Sequence, residues 1–177
     1  AQPLVVRNLS SQGMKTFLTD AVCIAWAASR LNQTTAIIET TRGEIEIELF
    51  RDDAPITTAK FIALANRGAF EGLRFSNVSP LSLIQIEEPN IEAPPGRNIG
   101  SEINMRPFER GSLGMARAVK DSQSNSFFIA LNPQPDRDGS DTCFGRVISG
   151  LQAADKIVPG DYVKKVHIKE SIGLLRN

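Results

Sequence analysis

With 177 residues, 20 basic and 20 acidic side chains, the chain can bury one sizeable core and has no net charge to draw it to nucleic acid or an anionic membrane surface. The longest uncharged apolar stretch near the N-terminus, residues 21–29, is too short to span a bilayer, and no transmembrane segment is expected. Cys23 and Cys143 fit neither a metal-ligand spacing nor a redox motif, so they read as buried thiols, with a single disulfide open to them in an oxidising compartment.

Residues 1–12 lack periodicity and read as an arm. Met14, Phe17, Leu18, Ala21, Val22, Ala25 and Trp26 then fall at helical spacing, with Lys15, Thr19, Cys23 and Arg30 on the opposite face. This predicts an amphipathic helix over residues 14–31, which either packs on the domain's own surface or docks on a partner protein. Asp20 and the thirteen residues before Met14 argue against a signal peptide. A start at Ala1 rather than Met fits a removed leader as well as a choice of numbering. The boundary falls at 33/34, with arm and helix before it and one domain over residues 34–177.

From Thr34 the period changes to two. Ala36–Thr40 and Glu44–Leu49 flank Thr41-Arg42-Gly43 as a hairpin, with Ile45, Ile47 and Leu49 inward and Glu44, Glu46 and Glu48 on a solvated face. Asp53-Ala54-Pro55-Ile56-Thr57 reads as a helix start with Thr57 as its cap, and Gly68 as its stop. Residues 73–78 and 81–87 read as strands about Ser79-Pro80. Residues 89–100, with three prolines and two glycines, read as a loop. Residues 113–118 and 127–131 read as buried strands around a polar loop, 120–126, where binding residues would collect. Residues 143–148 form another strand, 151–157 a short helix ended by Pro159-Gly160, and Val163, Val166 and Ile168 mark a last strand. About eight strands and two short helices suggest a mainly β fold, a closed barrel capped at its ends. His167, the single histidine, has no acid or nucleophile motif beside it. No metal-ligand set, phosphate-binding loop or cofactor motif is present in the sequence, so no cofactor or metal is expected.

The segments over residues 36–172 resemble, in order and spacing, the cyclophilin family of peptidyl-prolyl isomerases. The markers are Arg42-Gly43-Glu44-Ile45-Glu46-Ile47, Ala54-Pro55 with Phe61, Phe75-Ser76-Asn77-Val78-Ser79-Pro80 with Ile84-Gln85, and Arg110-Gly111-Ser112-Leu113-Gly114-Met115-Ala116. Ser126-Phe127-Phe128-Ile129, Asp138-Gly139, Cys143-Phe144-Gly145-Arg146-Val147 and Gly150 complete the set. The resemblance implies a closed eight-stranded antiparallel barrel capped by two helices, with a proline-binding groove on one outer face. The helix over 14–31 would be an addition to that fold.

Rotating a peptide bond crosses a barrier of about 18–20 kcal/mol. A cation aimed at the twisting amide lowers it by stabilising charge that develops only in the transition state. The family supplies an arginine from a Phe-His-Arg-Val motif, and this chain has Asn77 there. Of the remaining groove positions the resemblance implies, Ser82 replaces an aromatic wall, which removes about 2–3 kcal/mol of apolar burial. Leu83 keeps apolar volume where a methionine stands. Ser126 replaces a glutamine that contacts peptide backbone, Arg137 a pocket leucine, Asp136 a tryptophan, and Asp141 an aromatic residue or histidine. Gln85, Ala116 and Phe128 persist, and Arg117 stands where asparagine or arginine is usual. Arg74 lies three residues from Asn77, so strict alternation puts the two on opposite faces.

These exchanges point to a degenerate cyclophilin-like binding or scaffold subunit that meets protein partners through its N-terminal helix and barrel surface. The alternative is an active prolyl isomerase that assists folding. The Arg110–Arg117 run and Gly160-Asp161 look similar to cyanobacterial and plastid members. With the start at Ala1, this suggests a plastid, in particular the thylakoid lumen, and a photosynthetic or other organellar complex as the partner. A cytoplasmic or periplasmic location is the alternative.

Overall fold

The computed structural model describes residues 32–88, 101–119 and 122–172, without the side chains of 32–33, 117–119, 122–124 and 171–172. The helix expected over 14–31, Cys23 and the loop over 89–100 lie outside the described residues. Contacts mark Thr34–Glu170 as one compact unit.

In chain order the elements are β1 (Asn32–Thr40), β2 (Gly43–Leu49), α1 (Pro55–Asn66), β3 (Phe75–Ser79), β4 (Leu83–Ile86), β5 (Ser112–Val119), β6 (Ser122–Ala130), β7 (Cys143–Ser149), α2 (Leu151–Asp155) and β8 (Val163–Ile172), with a 3-10 turn over Pro135–Arg137. The strands form one mainly antiparallel sheet in the order β3-β4-β6-β5-β7-β2-β1-β8. The sheet curls until its edges touch. Gly72 N–H donates to Val163 O (2.8 Å), Val163 N–H to Leu73 O (2.9 Å) and Phe75 N–H to Asp161 O (3.0 Å). Among the described residues this contact is a single bridge, Arg74–Tyr162, and not the full ladder of a closed barrel.

Alternation sorts the side chains. Ile45, Ile47, Ile84, Ile86, Leu113, Met115, Phe127, Ile129 and Phe144 turn inward to the main core. Phe61 of α1 plugs that interior. Its ring lies 5.2 Å from Phe70 and 5.5 Å from both Phe127 and Phe144. Such offset and edge-on aromatic pairs contribute about 0.5–1.5 kcal/mol each beyond area burial.

Pro55 opens α1, but Thr57 is not its cap. Thr57 is buried in the first turn, and no side chain of the helix's own start caps it. The Glu102 carboxylate does so from a distant segment, accepting from Ile56 N–H (3.0 Å) and Thr57 N–H (2.6 Å). Two orphan donors and the positive helix end are satisfied together. At the other end, Gly68 at φ +68° closes a Schellman turn, with Gly68 N–H on Ala65 O and Ala69 N–H on Leu64 O.

Of the polar stretch expected as a loop over 120–126, residues 122–126 are strand. β6 begins at Ser122 and pairs with β5 through Arg117–Gln123 and Val119–Ser122. Backbone pairing needs no apolar side chain, so polar residues extend the strand. β3 starts later than expected, after Leu73 and Arg74, and β4 is shorter, because Leu81 and Ser82 belong to the turn between them.

A polar clasp ties the β1–β2 turn to the approach to β8. Asp161, buried, accepts from Thr41 Oγ1 (2.7 Å), Arg42 Nε (2.7 Å) and Val158 N–H (2.8 Å). Burial by itself would raise its pKa, but the hydrogen bonds from Arg42, Val158 and Thr41 and the Arg42 charge outweigh it and hold the carboxyl below the ordinary range. The clasp therefore contributes fully above the unfolded carboxylate pKa, about 3.9, and is lost as pH falls through the lower folded value. Asp161→Asn should cost about 1–3 kcal/mol at pH 7. In urea denaturation, the gap between wild type and variant should narrow as pH drops below about 3.9.

Candidate functional site

Three of the expected groove residues, Asn77, Gln85 and Phe128, fall on one cross-strand row. Asn77 on β3 pairs with Gln85 on β4, Gln85 with Phe128 on β6, Phe128 with Gly114 on β5, and Gly114 with Cys143 on β7. Directly paired residues share a face, so this row lies on the outer side of the sheet. Asn77 reaches that side because the register shifts between Phe75 and Asn77. Phe75 is buried in the main core while Asn77 is exposed. The same irregularity overturns the expectation for Arg74. Both Arg74 and Asn77 are exposed, because a bulge breaks the strict period of two.

Outer-face residues build a second, smaller core of Phe50, Leu83, Phe108, Ala116, Phe128 and Cys143. Three expected groove residues, Leu83, Ala116 and Phe128, are thus buried rather than open, at 4%, 6% and 1% exposure. The Phe128 ring occupies the space that a side chain at position 114 would need. A Cβ on Gly114 would lie 2.2 Å from Phe128 Cζ and 2.7 Å from Phe108 Cε1. Phe108 stacks on Phe128, with centroids 5.6 Å apart and planes at 26°. The Arg137 guanidinium sits over the same ring, 4.6 Å from its centroid. Arg137 Nη1 also donates to Asp141 Oδ2 at 2.7 Å, and Asp141 N–H returns to Arg137 O at 3.0 Å. Asp141 is almost wholly buried and Arg137 about one-third exposed.

The remaining expected residues support this arrangement. Gln85, half-buried, donates from Nε2 to Ser126 Oγ (3.4 Å), and buried Ser126 donates to Ile86 O (2.6 Å). Ser126 therefore braces Gln85 from within the sheet. Ser82 is knitted to the segment after β6. Its carbonyl accepts from Leu131 N–H (2.8 Å), and its hydroxyl lies 3.4 Å from Gln134 Oε1. The backbone of Arg117 lies in β5, and its side chain lies outside those described.

Phe108 escaped the sequence reading because its segment belongs to no regular element. Four of its side chains nonetheless make tertiary contacts. Glu102 caps α1, Asn104 Nδ2 donates to Cys143 O (2.8 Å), Arg106 pairs with Asp53 (2.6 Å), and Phe108 enters the second core. Ile103 and Met105 point out, 55% and 96% exposed. Asp138 Oδ1 accepts from Phe108 N–H (2.7 Å) and holds the ring's backbone in place. Apolar alternation would instead have turned Ile103 and Met105 inward, so the sequence offered no signal for Phe108. Cys143 is a free, buried thiol. Burial raises its pKa, against the lowering from the hydrogen bonds with Gly145 and Ser112 and from the Arg106 charge. A thiol so held is a poor nucleophile. Among the described residues no three histidine, cysteine, aspartate or glutamate side chains cluster to hold a metal ion. No described helix is long and apolar enough to cross a membrane.

Residues 35–175 match the family model for the cyclophilin type peptidyl-prolyl cis-trans isomerase/CLD. The chain belongs to the cyclophilin family. Among its relatives, peptidyl-prolyl cis-trans isomerase B of Bacillus subtilis is 40% identical over 130 residues, which cover 71% of this chain and 91% of that one. A peptidyl-prolyl cis-trans isomerase of Synechococcus elongatus is 37% identical over 135 residues, 71% and 93% of the two chains. The crystal structure of a cyclophilin type isomerase of Cryptosporidium parvum, determined in the presence of the dipeptide Ala-Pro, superposes with a TM-score of 0.68 at 25% identity. It covers 76% of this chain and 98% of that one.

In this cyclophilin the fit of Phe128 over Gly114 can be tested directly. Gly114→Ala must push the ring aside and should cost about 1–3 kcal/mol in urea denaturation. Phe128→Leu in the same chain should recover part of that loss, a coupling expected only of groups in contact.

Proposed function

We propose that this cyclophilin-fold domain is a binding module for protein partners, with prolyl isomerase activity weak or absent. The observation that carries the reading is Asn77. It is exposed on the outer face in register with Gln85, the position from which the family's arginine would address a bound peptide. A neutral amide donates a hydrogen bond about half as strong as a charge-assisted one, and it adds no charge to stabilise a twisted amide. A protein-binding role is supported by the exposed apolar side chains Ile103 and Met105, joined by Ile56 at the start of α1. The N-terminal helix would add to that surface.

A second reading keeps the isomerase. It is favoured by the named activity of the bacterial relatives, and by the exposure of Arg74 as well as Asn77. Three residues of strand separate the two, about 10 Å along the chain.

An assay with a proline-containing tetrapeptide separates the readings. The chain should turn over at least ten times more slowly than an ordinary cyclophilin, and Asn77→Arg should raise the rate. Turnover within tenfold of an ordinary cyclophilin, abolished by Arg74→Ala, would establish the second reading.

A further inference from the structure

We propose that Arg137 is a built-in occupant of the groove, the residue that decides whether a prolyl ring can sit on Phe128. This rests on reading the outer face as a peptide groove and deepens that reading by naming what excludes the ring.

Phe128 is the aromatic surface on which an apolar ring would rest, and its surroundings leave it 1% exposed. Gly114 lets the ring sink onto β5, and Phe108 stacks on it. The Arg137 guanidinium covers it at 4.6 Å, within cation–π range. A planar guanidinium on an aromatic face takes the space and the contacts that a prolyl ring would need.

Leaving is costly for Arg137. Its Nη1 bonds buried Asp141, and the backbone of the same two residues closes the turn. Withdrawing the cation would take this partner from a buried carboxylate, a strongly unfavourable change. Asp138, on the same turn, is engaged by Phe108 N–H, while Asp136 is exposed to solvent. Phe108, Asp138, Arg137 and Asp141 thus form one connected lock. Because Arg137 itself is about one-third exposed, it can be exchanged without emptying the main core.

The test is an NMR titration of the full chain with the peptide Ala-Ala-Pro-Phe, following amide signals of residues 85 and 126–130. Wild type should show no saturable shift at low-millimolar peptide. Arg137→Leu should saturate with at least tenfold higher affinity. Arg137→Lys, which keeps the charge but loses the planar fork, should fall between them. Should Arg137→Leu fail to give a folded spectrum, Arg137→Met, which keeps the stem volume, takes its place. Wild type binding within threefold of a folded Leu or Met variant overturns the proposal. The isomerisation rate of the same samples separates the two ideas. A wild type that turns over peptide sinks the binding-only role, yet the plug stands if the variants still bind ten times tighter. A silent wild type with unchanged variant affinity sinks the plug alone.

Discussion

Two adjacent phenylalanines hold this structure together. Phe127 and Phe128 share a peptide bond in β6, and strand geometry sends them to opposite faces. Phe127 enters the aromatic group around Phe61, with Phe70 edge-on at 5.3 Å. Phe128 enters the outer core with Phe108. One stretch of backbone therefore anchors both the main core and the outer core. A register slip of one residue would exchange the two rings and empty both.

The outer core buries the Phe128 ring among Phe108, the Arg137 guanidinium and the backbone of Gly114. The filling is polar as well as apolar, and the polar part holds its geometry. Asp138 positions Phe108, and Asp141 positions Arg137. Gln85 and Ser126 keep their places beside it, linked to each other and to Ile86. All of these contacts lie within the frame of a cyclophilin fold.

Long-range polar contacts do for the loops what the two phenylalanines do for the sheet. Glu102 reaches the first turn of α1, and Asp161 gathers Thr41, Arg42 and Val158. Each satisfies several donors that local sequence leaves unpaired, so α1 needs no cap of its own. The cap assigned to Thr57 failed for this reason: a tertiary partner outcompeted the local candidate. The bulge before Asn77 is a similar case. Counting by twos placed Arg74 and Asn77 on opposite faces, and one irregular pairing put both in solvent.

The sequence by itself determined the family, the strand order along the chain, the alternation of the hairpin glutamates and isoleucines, and the place of Asn77 in the Phe75–Val78 motif. All of these are local in the chain, where period, turn residues and motif spacing can be counted. It could not show that β6 runs back to Ser122, because backbone pairing is indifferent to the polar side chains it carries. Nor could it show Phe108 over Phe128, Gly114 beneath it, or Arg137 locked to Asp141 across the same ring. The contacts of Phe128 join residues 9 to 20 positions apart along the chain. Only the folded sheet decides which of them meet, because close packing admits one occupant for each space.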